Sequence, residues 1–177
     1  DEVLDTFLKY DIPIYLSRPT LVSSRPVAAF LLSALELLCY GFTYENMLKY
    51  LKSGFSGVER EAVYALENYL FLYNIGDKKW IKNEDFTEHP ITPGAKLDDS
   101  AKEKLNQINQ TRRAVYLPLL RLKKAFYEKT AGAMVDGIFD FFEEVNLHKQ
   151  LSERMDFFEN LEDFKTADEY RRSYEIL

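Results

Sequence analysis

Few side chains in this 177-residue chain have the type and spacing that catalysis requires. The two histidines, His89 and His148, have no serine, cysteine or acid at a spacing typical of a nucleophile and its base, and Cys39 is the single cysteine. Neither a zinc signature nor a glycine-rich phosphate-binding motif is present. The sequence therefore predicts no catalytic residue, no metal-ligating residue and no cofactor bound by this chain.

Two acid-x-lysine triplets come nearest to a metal-dependent nuclease signature, in which carboxylates hold Mg²⁺ and a lysine orients the attacking water. They are Asp77-Lys78-Lys79 and Asp163-Phe164-Lys165. Neither follows an acidic strand, and about as many triplets are expected by chance in a chain so rich in acids and lysines. We predict that neither triplet is a nuclease site.

A basic cluster around the single tryptophan is a candidate for phosphate contacts. The stretch Lys78-Lys79-Trp80-Ile81-Lys82 mixes basic and aromatic side chains, which can hold phosphates and stack on a base. Alternatively, Trp80 fills a junction inside the fold while the lysines lie in water. Arg18 and Lys52 flank predicted turns, and the same two interpretations apply to them.

Arg112 occupies a position that the pattern reserves for apolar residues. A heptad-like seam over about 26 residues predicts one helix, formed by Ala101, Leu105, Ile108, Arg112, Val115, Leu119, Leu122 and Phe126. Pro118 in the same stretch predicts a kink. A buried charge needs acceptors, so Arg112 either pairs with a carboxylate or clamps the backbone, or it contacts a phosphate or a partner.

The composition favours an ordered, helix-rich protein over disorder, because 46% of the residues are hydrophobic and glycine and proline are scarce. The net charge of −6 argues against strong autonomous nucleic-acid binding, although a local basic contact remains compatible with it. The sequence has no apolar run of about 18 residues and no signal-peptide pattern. We expect a cytoplasmic protein that does not span a membrane and that is a piece of something longer.

The predicted fold is mostly α, in two helical lobes. The lobes comprise residues 1–76 and 98–177, and an irregular connection, 77–97, joins them because prolines and a glycine punctuate it. One short N-terminal strand is predicted at residues 12–16 within KYDIPIYLSRP, and Pro13 confines it to an edge or an end of a sheet.

Capping residues mark where the helices are expected to begin. The predicted starts are Ser24, Thr43, either Asp98 or Asp99, and Thr130, with capping-box pairs at Ser56–Glu59 and Thr166–Glu169. Cys39 lies in an apolar run, and we predict that it is buried.

The order of several short motifs resembles a known family. The run FLKYDIPIYLSRPTLVSSRPVAAFLLSALELL is similar to a segment of UvrD-like helicases, and the rest is similar to the B subunit (AddB/RexB type) of an ATP-dependent helicase/deoxyribonuclease. The matching residues are Tyr44-Glu45, Tyr50-Leu51-Lys52-Ser53-Gly54, Glu67-Asn68-Tyr69, Tyr73, Ile75, Gly76, Trp80, Ile108, Asn109, Arg112, Val115, Pro118, Leu119 and Leu122.

This resemblance implies a helical accessory (2B-like) insertion domain within a larger hydrolase. The parent would be an ATP-dependent exonuclease subunit of double-strand-break repair and recombination, using ATP, Mg²⁺ and an iron–sulfur cluster outside this chain. Its partners would be single- or double-stranded DNA and a second helicase–nuclease subunit.

Within such a parent, the chain would be non-catalytic, bracing the motor-like core, with the guiding of DNA as a further expectation. The candidate DNA contacts are Arg18, Lys52, Lys78, Lys79, Trp80 and Arg112. The alternatives are a protein–protein scaffold that never touches DNA, and an unrelated helical adaptor.

Overall fold

The computed structural model describes residues 2–13, 25–82 and 84–175, and these ranges are helical with no strand. The helices are α1 (Glu2–Lys9), α2 (Pro26–Tyr40), α3 (Tyr44–Lys52), α4 (Arg60–Leu72), α5 (Asp77–Trp80), α6 (Asp99–Tyr127), α7 (Ala131–Glu144), α8 (Leu147–Asn160) and α9 (Phe164–Glu175). The prediction of a mostly α protein is confirmed.

Three helices begin at the predicted capping residues. The side chain of Thr43 accepts a hydrogen bond from the Asn46 amide (3.2 Å) ahead of α3. Asp98 accepts from the Ala101 amide ahead of α6 (2.7 Å). Thr130 caps α7 in the same way. Each cap satisfies a backbone donor that the first turn of the helix leaves without an intrahelical partner.

The two capping-box predictions are wrong in detail. The first turn of α4 follows Glu59 without a side-chain cap, and the hydroxyl of Ser56 is buried with no hydrogen-bond partner among the described residues. α9 begins at Phe164, because the Asp163 carboxylate accepts from the Thr166 amide (3.1 Å). Hydrogen bonds from the Thr166 side chain and from its amide lower the pKa of Asp163. The predicted cap Ser24 lies outside the described residues.

One continuous cluster of buried side chains runs from α2 to α8. At its centre the Phe30 ring stacks on Tyr50 (5.4 Å between centroids) and on Phe141 (5.5 Å), and it also contacts Phe55. α6 packs against both α4 and α7, so residues from both sides of the predicted connection share this core. The division into lobes 1–76 and 98–177 stays a prediction.

The long helix α6 runs through Pro118 without ending, as the uninterrupted apolar seam indicates. α7 approaches it closely at Gly137, where an added Cβ would clash with the Cβ of Ala125. Arg121 and Glu144 form an ion pair (2.7 Å) across the same pair of helices.

One expectation differs from the structure, and a second is tested only in part. Cys39 is exposed, because Val27, Phe30 and Leu37 set the inner face of α2 and Cys39 lies on its outer side. At the described end of the predicted strand, residues 12–13 follow the α1 turn and belong to no strand, while 14–16 lie outside the described residues. Among the helices of the described ranges, none is long and apolar enough to cross a membrane.

Candidate functional site

Arg112 holds the end of α5 and the segment after it by their backbone carbonyls. One guanidinium nitrogen, Nη1, donates to the carbonyl of Glu84 (3.0 Å). The other, Nη2, donates to the carbonyls of Lys79 (3.1 Å), Trp80 (2.8 Å) and Lys82 (2.5 Å). A planar guanidinium is suited to this task, because its donors diverge from a rigid fork. We call Arg112 and these four carbonyls the carbonyl clamp.

Two aromatic rings complete the surroundings of this guanidinium. Its central carbon lies 4.6 Å from the ring centroid of Phe86 and 5.0 Å from that of Tyr116, within cation–π range. The side chain is 1% exposed, and its Nε has no hydrogen-bond partner among the described residues. Burial lowers the pKa of Arg112, but a guanidinium in a protein keeps its proton. The geometry is that of the backbone clamp, one of the two interpretations open from the sequence.

The neighbours of Arg112 on α6 hold the same segment. Asn109, one turn earlier, accepts from the Phe86 amide (2.8 Å) and donates to the Phe86 carbonyl (3.0 Å). Arg113 pairs with Asp85 at the surface (3.1 Å). Sequence reasoning named Asn109 only as a residue that matches the family motif and gave it no role of its own.

Trp80 is fully buried at the end of α5, with 0% of its surface exposed. Lys79 and Lys82 on either side are exposed, and nothing is described of the Lys78 side chain. This is the arrangement in which the tryptophan fills the fold and the lysines lie in water. A base cannot stack on a ring without accessible surface, so a stacking role for Trp80 would require the residues that cover it to move.

Two tyrosines, Tyr69 within α4 and Tyr73 at its C-terminal end, fix the rest of the irregular connection. The Tyr69 hydroxyl accepts from the Glu88 amide (3.2 Å), and the Tyr73 hydroxyl donates to the carbonyl of His89 (2.6 Å). Burial raises the pKa of Tyr69 to about 12. The Nδ1 atom of His89 accepts from two amides of its own loop, at Ile91 and Thr92. His89 therefore organises a turn here.

Lys52 lies at a different place from the residues of the carbonyl clamp. Its ammonium group pairs with Glu67 (2.8 Å), and this hydrogen bond raises the pKa of Lys52. The side chain borders a cavity of about 900 Å³ beside the α3–α4 loop. Arg18 lies outside the described residues. The structure thus brings together Lys79, Trp80 and Arg112 and leaves Lys52 apart, and DNA contact by any of the six candidates stays a prediction.

Known proteins match the chain along nearly its whole length, although no protein-family model matches it. The B subunits of ATP-dependent helicase/deoxyribonucleases are 27% identical to it over 172 residues in Caldanaerobacter subterraneus subsp. tengcongensis and 28% identical over 173 residues in Ruminiclostridium cellulolyticum. Each alignment covers 97% of this chain. The resemblance to the B subunit is confirmed. A third such protein, from Clostridium botulinum strain Langeland, is 28% identical over 177 residues, or 99% of the chain.

The chain spans about 15% of the length of these B subunits. The B-subunit motif residues Asn109 and Arg112 fasten the connection, and Trp80, which belongs to the connection, is buried. In the described residues, no group of three or more histidine, cysteine, aspartate or glutamate side chains is arranged to hold a metal ion.

Proposed function

We propose that the chain is a non-catalytic helical module of a B-type subunit of an ATP-dependent helicase/deoxyribonuclease, of the two-lobed, 2B-like kind. It would brace the motor-like core of a cytoplasmic machine for double-strand-break repair and recombination. The proposal is supported by similarity to B subunits along 97% of a chain that covers only 15% of their length. ATP, Mg²⁺, any iron–sulfur cluster and the nuclease residues would then belong to other parts of the parent, and a second helicase–nuclease subunit would be its protein partner.

The carbonyl clamp is the observation that carries the bracing role. A single buried side chain fixes four backbone carbonyls of the connection onto the long helix α6. Such a connection resists bending, because moving it would leave a charge and several carbonyls without partners in a partly buried place. Rigidity of this kind suits a part that transmits force between neighbouring domains.

A role in guiding DNA is the second half of the proposal. Exposed Lys79 and Lys82 stand on the rigid connection, where phosphate contacts would position a strand without reading its sequence. Lys78 shares the same short helix, and Lys52 would act separately from it. Trp80 and Arg112 would contribute by holding the lysines in place.

The alternative is a protein–protein scaffold that does not touch DNA. The net charge of −6 favours it, and so does an exposed apolar group at the α8–α9 turn, formed by Phe157, Leu161 and Phe164. Apolar side chains grouped at a surface are typical of contacts with other proteins.

DNA binding by the purified chain separates the two functions. In a titration of labelled DNA at several salt concentrations, Lys78→Gln/Lys79→Gln is expected to weaken binding and to lower the salt dependence by roughly 1.4–1.8, since each phosphate contact contributes about 0.7–0.9 to the slope. Lys124→Gln/Lys165→Gln removes the same charge elsewhere and serves as the control. Equal binding by both double variants would refute guidance by the connection, and no binding by the unmodified chain at low salt would favour the scaffold.

A further inference from the structure

A polar cavity of about 900 Å³ opens between the α3–α4 loop and the turn joining α7 to α8. The loop contributes Gly54 and Gly57, whose φ angles of +81° and +79° favour glycine. Gly57 packs against the backbone of Val145, where an added Cβ would lie 3.3 Å from the Val145 Cα. Gln150 donates to the carbonyl of Val145 (2.6 Å). The walls of the cavity are therefore held in place by close packing.

Positive charge predominates around this cavity in a protein that is negative as a whole. Four basic side chains line it, Lys52, Arg60, Lys149 and Arg154, against the two carboxylates of Glu59 and Glu153. The two lysines differ in how closely they are paired with a carboxylate. Lys52 pairs with Glu67 at 2.8 Å, whereas Lys149 lies 3.6 Å from Glu153 at an exposed site. A local surplus of cations on a protein of net charge −6 favours an anionic ligand.

Arg154 is held in place before any ligand arrives. Its Nη2 donates to the carbonyl of Gly54 (2.6 Å), and its guanidinium lies 4.3 Å from the ring centroid of Phe55 and 5.8 Å from that of Tyr170. A cation fixed in this way loses little conformational entropy on binding.

Two helices begin at the cavity without a side-chain cap. Glu59 precedes α4 and Asn146 precedes α8, and neither side chain accepts a hydrogen bond from the first turn of its helix. Backbone N–H groups of a first helical turn carry partial positive charge and favour anions. These two helix ends add to the attraction that the basic side chains exert on the same space.

An exposed aromatic ring at the cavity distinguishes a nucleic-acid ligand from free phosphate, which has no base to stack on it. Tyr64 lines the cavity, is 46% exposed, and accepts a hydrogen bond from Arg60 Nε (2.8 Å). Basic side chains beside an accessible ring match the requirements of single-stranded nucleic acid, whose phosphates need cations and whose unpaired bases stack on aromatic rings. A duplex hides its base faces and carries its phosphates on a convex surface, which fits a recess less well.

We propose that this cavity binds single-stranded nucleic acid. Arg60, Lys149 and Arg154 contact the phosphodiester backbone, and Tyr64 stacks on one base. The inference rests on the proposed function, because the role of the relatives as helicase/deoxyribonuclease subunits supplies the ligand class. It assigns that ligand to a place apart from the lysines of the connection.

The test measures binding of a short labelled oligodeoxythymidine to the whole chain at several salt concentrations. Arg60→Gln/Lys149→Gln is expected to weaken binding about tenfold and to reduce the salt slope by roughly 1.4, since single-stranded binding contributes about 0.7 per phosphate contact. Glu153→Gln is expected to strengthen binding, because it removes a carboxylate from the cavity. Lys124→Gln/Lys165→Gln provides the control for loss of two charges outside the cavity.

A second comparison separates a nucleic-acid strand from other phosphate ligands. Tyr64→Leu is expected to weaken binding of the oligodeoxythymidine at least about fivefold more than binding of an abasic strand of the same length, because release of Arg60 from the Tyr64 hydroxyl affects both strands whereas loss of stacking affects only the first. Equal losses on both strands, or equal competition by inorganic phosphate or polyglutamate, would overturn the assignment to nucleic acid.

The outcomes also separate this inference from the proposed function. If Lys78→Gln/Lys79→Gln weakens DNA binding while Arg60→Gln/Lys149→Gln does not, DNA guidance stands and the cavity site is refuted. If the unmodified chain binds neither strand at low salt, the cavity site and the DNA-guiding role are both refuted, and bracing alone remains.

Discussion

Replacing Arg112 by leucine tests whether the carbonyl clamp holds the connection. The change removes all four hydrogen bonds to the carbonyls of residues 79–84, together with the cation that contacts the rings of Phe86 and Tyr116. Leucine keeps the apolar seam of α6 intact, so the helix itself has no reason to unfold. The loss should fall on the attachment of the connection.

The expected loss in the free energy of unfolding depends on how deeply each hydrogen bond of Arg112 is buried. The bond to the Trp80 carbonyl is buried, so that carbonyl stays without a partner at a cost of about 1–3 kcal/mol. The other three bonds are partly buried, and water can replace the donor there at a smaller cost. Loss of the ring contacts adds about 0.5–2 kcal/mol, while leucine avoids the desolvation of a charge. We expect a net loss of about 3 kcal/mol, or about 6–12 °C in Tm for a chain of this length.

Urea unfolding monitored by circular dichroism and by tryptophan fluorescence measures this loss. Trp80 is the single tryptophan, is fully buried, and has its carbonyl held by Arg112, so its emission should shift to longer wavelength at low urea in Arg112→Leu while helix content is retained. Arg113→Leu is the matched control, because its pair with Asp85 is exposed and contributes at most about 1 kcal/mol. Should Arg112→Leu not fold, Arg112→Lys keeps the charge and is expected to show a smaller loss. A loss within about 0.5 kcal/mol of that control would refute the clamp as a stabilising feature.

For three further changes we predict whether the free energy of unfolding rises or falls, and unfolding experiments measure the result. Gly137→Ala is expected to lower the free energy of unfolding by about 1–3 kcal/mol, because the new methyl group meets Ala125. Gly132→Ala, in open space on the same helix, is the control and should raise the free energy of unfolding by about 0.5 kcal/mol. Equal effects of the two substitutions would contradict the close contact at Gly137. Tyr50→Phe should stabilise by about 1 kcal/mol, since it removes a buried hydroxyl without a partner among the described residues. Stability should fall as pH rises from about 10 towards 12, because burial raises the pKa of Tyr69 and of Tyr50 and these tyrosines ionise first in the unfolded chain. Tyr69→Phe should make this fall less steep in a pH titration of urea midpoints, and an unchanged profile would argue against the raised pKa of Tyr69.

The helical fold could be predicted because its signals are local. Thr43, Asp98 and Thr130 each bond to an amide three residues ahead, so the sequence spacing contains the whole interaction. The seam of α6 works in the same way, since apolar residues at steps of three and four share a face whatever packs against it. Arg112 was recognisable as a special residue because it broke that pattern.

The partners of Arg112 could not be predicted, because they depend on contacts between distant residues. The acceptors lie about 30 positions earlier in the chain and are backbone atoms, which no residue type reveals. Cys39 illustrates the same limit, since an apolar run does not tell which face of α2 turns inward. At Ser56 the capping-box spacing is present, but the chain turns at Gly57 against Val145 and α4 begins only at Arg60.

The structural and the electrostatic roles of Arg112 do not exclude each other. Its hydrogen-bond acceptors are neutral carbonyls, and no carboxylate lies within ion-pair distance of it in the part of the chain that is described. Its charge is therefore held in place without being cancelled, and salt screens a buried charge less than an exposed one. The potential at Lys79 and Lys82 consequently includes a positive contribution from beneath the connection. A residue that braces the fold thus also favours an anion at the surface above it, which is why loss of DNA binding in Arg112→Leu alone would not show direct contact.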